Sequence, residues 1–174
     1  RDKAWTWEHQ ALTRARYCCG DARVGERFEA IREAILRLPR DPARLKAEVL
    51  EMRQRMRDGH RNPTGLFDVK HDPGGLVDVE FCVQYLVLAH AHCYPALTAN
   101  IGNIALLKRC AELGLLPADI ALPAADAYRE LRRLQHSVKL QGAEHARVPA
   151  EQVAPMVEPV RRLWHTVFGA TALQ

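Results

Sequence analysis

Leu76-Val77-Asp78-Val79-Glu80-Phe81-Cys82-Val83-Gln84-Tyr85-Leu86-Val87-Leu88-Ala89-His90-Ala91-His92 decides the fold. Wound at 3.6 residues per turn, it is apolar on nearly every side, with Leu76, Val77, Val79, Phe81, Val83, Leu86, Val87 and Leu88 spread around the axis. A helix of that kind belongs at the centre of a bundle. Its neighbours carry the stripes of covering helices. Val24, Phe28, Ile31, Ile35 and Leu38 recur at helical spacing, and so do Leu45, Val49, Met52 and Met56. Each stripe predicts an amphipathic helix whose apolar face packs into the core. Further helices are expected over Ile101 to Leu113, stopped by Gly114, and over Pro123 to Gln141, with Tyr128, Leu131, Leu134 and Val138 inward. A last one is expected over roughly Pro155 to Phe168, with Val160, Leu163, Trp164 and Val167 inward. Pro155 and Pro159 should confine its regular part to the C-terminal side.

The punctuation fits. Gly20-Asp21 ends one segment and caps the next, and Asp41-Pro42 supplies an N-cap followed by proline at the first helical position. Between Asp58 and Pro73, the residues Gly59, Asn62, Pro63 and Gly65 break helical order. Within that stretch Leu66-Phe67-Asp68-Val69-Lys70 alternates and reads as a short extended piece, which alone makes no sheet. The expectation is therefore an all-α helical bundle of about seven helices, one domain over 1–174, with an irregular or extended segment near 58–75.

Composition narrows the function. The net charge is +4, but acids and bases alternate, as in Arg44/Glu48 and Glu51/Arg55, so the charge reads as solvated helix faces and not as a nucleic-acid footprint. No apolar run is long enough to span a membrane, and no signal peptide is visible. The five cysteines are odd in number and form no CxxC pair, which suits reduced thiols and a cytoplasmic location. The opening Arg-Asp-Lys-Ala-Trp lacks an initiator Met, and the chain reads as part of a longer polypeptide.

Two stretches carry candidate chemistry. In Phe67 to Phe81, Lys70 and the Gly74-Gly75 pair precede a helix N-terminus, where backbone N–H groups and the helix dipole favour an anion. The bland reading is that the glycines permit a turn and Asp78 suits the first helical turn. Asp78 and Glu80 resemble half of a nucleotidyltransferase metal site, but on a helix they point about 200° apart and cannot chelate one ion together. His90, His92 and Cys93 do not share one helix face, and satisfied side chains explain them better than a metal does. In Trp5 to Arg16, Glu8 and His9 suggest acid–base work, yet no nucleophile with a supporting base lies near. Arg14 and Arg16 suit a phosphate or carboxylate. The bland reading is a docking helix on which Trp7, Ala11 and Leu12 pack while Glu8 and Arg16 anchor.

These stretches together resemble the bacterial glutamine synthetase adenylyltransferase/adenylyl-removing enzyme. The resemblance is carried by Trp-Thr-Trp-Glu-His-Gln-Ala-Leu-Thr-Arg-Ala-Arg at 5–16 with Gly20-Asp21, by Phe-Asp-Val-Lys at 67–70, and by Gly-Gly-Leu-Val-Asp-Val-Glu-Phe at 74–81 followed by Gln84-Tyr85-Leu86-Val87-Leu88. Glu48-Val49, Met52 to Arg57, Asn103 and Ala127-Tyr128-Arg129-Glu130-Leu131-Arg132 extend it in order to His136. It implies a modular chain of two nucleotidyltransferase domains, each followed by a helical domain. This chain then corresponds to the helical domain after the C-terminal, adenylylating one. The implied reaction is AMP transfer from ATP, with Mg²⁺, to a tyrosine of glutamine synthetase. Glutamine and the PII signalling protein are the implied regulators. The paired-carboxylate catalytic signature belongs to the upstream domain, so no catalytic residue, metal ligand or bound cofactor is expected here. Lys70, Gly74, Gly75, Asp78 and Glu80 are implied to lie at the junction with that domain, contacting either nucleotide or the domain itself. Cys18-Cys19 and Cys82 stand where the family pattern has apolar residues.

Overall fold

The computed structural model describes residues 5–169. Seven α-helices dominate them: α1 Thr6–Leu12, α2 Ala22–Leu36, α3 Pro42–Gly59, α4 Leu76–His90, α5 Asn103–Glu112, α6 Ala118–Leu140 and α7 Ala150–Phe168. A 3₁₀ turn over Pro95–Thr98 precedes α5. The expected all-α bundle is what the chain forms.

Helix α4 is the hub. Eleven of its side chains are buried, Asp78 among them, and it touches α1, α3, α5, α6 and α7. Helix α6 packs along both α5 and α7, and Leu107, Leu131, Leu163 and Trp164 fill the space between them. Helix α3 begins as the sequence predicts. The Asp41 carboxylate accepts from the Arg44 N–H at 2.6 Å, and Pro42 opens the helix. Asp21 caps α2 in the same way.

Three expectations need correction. First, α6 begins at Ala118 and α7 at Ala150, so Pro123, Pro155 and Pro159 lie inside regular helices. A proline in a helix interior costs about 3 kcal/mol. Pro123 and Pro155 face solvent, where water satisfies the carbonyl each one frees. Burial of Val153 and Val157, worth about 1.5–3 kcal/mol for each side chain, opposes fraying of the first turns of α7. Second, the extended piece does find a partner. β1 (Phe67–Asp68) pairs antiparallel with β2 (Arg147–Val148), with Phe67 opposite Val148 and Asp68 opposite Arg147. Third, the Val24–Leu38 stripe does not face the core. Helix α2 buries Gly25, Arg32 and Leu36 and turns Val24 and Ile31 to solvent.

Candidate functional site

The turn from Val69 to Asp78 is built from its own backbone. The Leu76 and Val77 N–H groups donate to the carbonyls of Val69 and Lys70, and the Gly75 N–H donates to that of Asp72. The Gly74 N–H donates to Asp78 Oδ2 at 2.6 Å. Each of these four amides has an internal acceptor. Gly74 adopts a φ of +92°, and a Cβ there would sit 2.6 Å from Val157 Cγ1. A Cβ on Gly75 would meet the Val69 carbonyl oxygen at 2.7 Å. Both glycines are thus required by the turn and by the approach of α7. Lys70 is exposed beside them.

Asp78 and Glu80 diverge, as their spacing predicts, and each closes a different network. Asp78 is fully buried and accepts from Arg53 Nε at 2.6 Å, while Arg53 Nη2 donates to the His71 carbonyl at 2.8 Å. Burial pushes the Asp78 carboxyl up, against the pull of the Arg53 guanidinium and the Gly74 N–H. Glu80 is half-buried and accepts from the Tyr128 hydroxyl at 2.9 Å and from Arg14 Nη1 at 3.1 Å. Asn103 Nδ2 donates to that same hydroxyl at 2.9 Å. Burial, ahead of the nearby Glu80 charge, raises the Tyr128 pKa.

Glu80 therefore ties the N-terminal segment to the bundle. Gln10 adds a bond to Gln84 at 3.0 Å, and the Thr6 hydroxyl donates to Glu48. The docking-helix expectation is met by Leu12, which packs against the core, and otherwise with different residues. Trp7 and Ala11 point outward, Gln10 and Thr13 are buried, and Arg14 makes the anchor expected of Arg16. Glu8 accepts from the Trp5 N–H at 2.7 Å and so serves its own helix. His9 is half-buried, and desolvation is the main cause lowering its pKa. Arg16 is exposed. Beside α1 runs a groove of about 640 Å³ lined by Trp5, Trp7, His9, Arg40, Arg44 and Glu48, among others.

Sequence reasoning missed Arg53 and Arg32. Arg53 carried one signal: it continues the four-residue steps of Leu45 and Val49, the two other buried side chains of α3. Among the described residues no group of three His, Cys, Asp or Glu side chains is placed to share a metal ion. His90 is half-buried, whereas His92 and Cys93 are exposed beyond the helix end. Among the described residues, no helix is long and apolar enough to cross a membrane.

The bundle and the α1–α2 segment that leads it match two different family models. The model described as GlnD PII-uridylyltransferase matches residues 43–158, and that described as glutamate-ammonia ligase adenylyltransferase matches residues 1–31. The class is therefore a helical unit found with nucleotidyl-transferring enzymes. Similarity over nearly the whole chain selects within it. A bifunctional glutamine synthetase adenylyltransferase/adenylyl-removing enzyme from Aromatoleum aromaticum is 57% identical over 97% of this chain, and one from Nitrosomonas eutropha is 53% identical over 97%. The chain belongs to the glutamine synthetase adenylyltransferase family. It spans 18% and 20% of the length of those two relatives.

Proposed function

We propose that this chain is the helical part of an enzyme that transfers AMP from ATP to a tyrosine of glutamine synthetase. In the full polypeptide the enzyme also removes AMP, and so controls nitrogen assimilation in the cytoplasm. The observation that supports this reading is the 57% identity, sustained over 97% of the chain, to a relative named for both activities. In this reading 1–174 form one helical domain, and the chemistry sits in a nucleotidyltransferase domain that precedes it.

Asp78 and Glu80 do not fit an ATP–Mg²⁺ site. Asp78 is fully buried against Arg53, and Glu80 is engaged by Tyr128 and Arg14. No catalytic step is therefore assigned to them. Lys70, Gly74 and Gly75 are candidates for a nucleotide or an interdomain contact. What supports an interdomain role is that the glycine amides already have acceptors within the turn. The exposed Trp5, Trp7 and Leu66 give a neighbouring domain apolar ground on both candidate stretches.

The test is AMP transfer from labelled ATP to glutamine synthetase, with Mg²⁺, by this chain and by a longer polypeptide that includes the preceding domain. Label only with the longer polypeptide is expected. Label with this chain alone would overturn the reading and make Lys70, Asp78 and Glu80 the first residues to change.

A second reading, a regulatory module for glutamine or PII, draws support from the α1–α3 groove, which combines two indoles with Arg40 and Arg44. Calorimetry with each candidate decides it. Heat that disappears in Trp7→Ala supports it, and no heat from either candidate removes it.

A further inference from the structure

Among the described residues, none fully covers the apolar stripe of α2. Val24 and Ile31 are 66% and 51% exposed, and Phe28, Ile35 and Leu38 are half-buried. Among the described residues, none of the five packs against the hydrophobic core. The orientation is nevertheless fixed by polar anchors on the other side. The buried Arg32 donates to the Thr98 carbonyl at 2.8 Å. Arg40, just past the helix, donates to the carbonyls of Ile35 at 2.8 Å and of Leu88 at 3.2 Å. Gly25 lies against the Tyr17 ring, where a Cβ would come within 2.8 Å. The helix cannot roll its stripe inward without breaking these contacts. Contiguous apolar surface held outward in this way marks an interaction site.

We propose that this face is an intramolecular docking surface, covered in the longer polypeptides of this family by the body of the adenylyltransferase unit. The inference rests on the reading given under Proposed function. The adenylyltransferase family model covers residues 1–31 and stops inside α2, and the other model begins at residue 43, inside α3. Below about 40 residues a segment does not close a core of its own. The matched 31 residues are then an edge of that unit, and in the relatives this chain is about a fifth of the polypeptide. The bundle supports one side of α2, which leaves the stripe for the unit's body. Arg27 lies within a turn of both Val24 and Ile31, so the covering surface is apolar with a carboxylate opposite Arg27. A second copy of the chain fits less well. A twofold axis near Phe28 would bring Arg27 of each copy close to the other, and like charges across an interface oppose association.

Hydroxyl-radical footprinting read by mass spectrometry tests this on the chain alone and on the longer polypeptide, with sedimentation of both. Oxidation of Phe28, Ile31 and Ile35 is expected to fall about fivefold in the longer polypeptide as water is excluded. Leu140, 89% exposed on α6, is the internal reference. Ile31→Asp should leave the melting of the chain alone unchanged and restore oxidation of Phe28 and Ile35 in the longer polypeptide. Equal oxidation in the two wild-type samples would overturn the proposal. So would protection already present in the chain alone together with a dimer, which would give the face to a second copy. AMP transfer by a longer polypeptide with unprotected α2 sinks this inference alone. Protection without AMP transfer sinks the functional reading and leaves the face assigned.

Discussion

Helices α2 and α4 are each 15 residues long and reach opposite fates. α4 is apolar around most of its circumference and buries eleven side chains. α2 has the cleaner amphipathic pattern, and it buries a glycine, an arginine and a single leucine. Periodicity measures the contrast between faces. It says that an apolar face will seek cover and is silent on which molecule or domain supplies it. The all-apolar helix is the safer reading, because every orientation of it demands burial.

The sharpest way to test that contrast is to damage the anchor of α4 and then the outward stripe of α2. Arg53→Ala leaves the buried Asp78, in the first turn of α4, without its ion-pair partner, and the expected loss is about 3–5 kcal/mol of unfolding free energy measured by urea titration. Asp78→Asn keeps an acceptor for Gly74 and should cost less than Arg53→Ala. Equal losses would mean that charge pairing dominates over the turn. Gly74→Ala places a methyl into Val157 at a left-handed φ and is expected to cost about 1–3 kcal/mol. Adding Val157→Ala should recover the steric part and leave the backbone part.

His71 gives a smaller effect, with a sign set by pH. Burial, reinforced by the nearby His60, pushes its pKa down from 6.5 to about 4. The folded state thus favours the neutral ring. The stabilisation is complete above pH 6.5 and is lost as pH falls toward 4. Because the ring is only half-buried, solvent screening limits it to on the order of 1 kcal/mol. Urea midpoints at pH 7 and pH 4.5 should differ less in His71→Asn than in the wild type. Smallest of all, Ile31→Ser on α2 should move the stability of the chain alone by no more than about 0.5 kcal/mol. A loss like that of a buried residue would show that the stripe is covered within this chain.

What could be read in advance followed from local rules. Asp41 and Pro42 open α3, Asp21 caps α2, and the continuous apolar run of α4 marks the hub. The divergence of Asp78 and Glu80 was also legible, because it is a matter of helical geometry. Their partners were not. Arg53, Tyr128 and Arg14 lie 25, 48 and 66 residues away in sequence, and no periodicity links them. Arg32 escaped the pattern for a different reason. Its long apolar stem can be buried while its head serves carbonyls, so a formal charge on the inner face is no bar to packing. The prolines of α6 and α7 misled because their cost depends on which way they face, and only the assembled bundle sets that.

The small β1–β2 ladder has a consequence for the order of assembly. It joins Asp68 to Arg147 and fastens the turn before α4 to the lead-in of α7. Closing a loop of that length in a flexible chain costs about 4 kcal/mol of entropy. Two residue pairs, with the added bond from the Val69 N–H to the Ala146 carbonyl, cannot meet that cost alone. The ladder therefore zips only after α4 to α7 have brought its ends together, and it is the joint that opens first. Amide exchange at Val69 should be fast next to exchange at Val87, although both residues are almost completely buried.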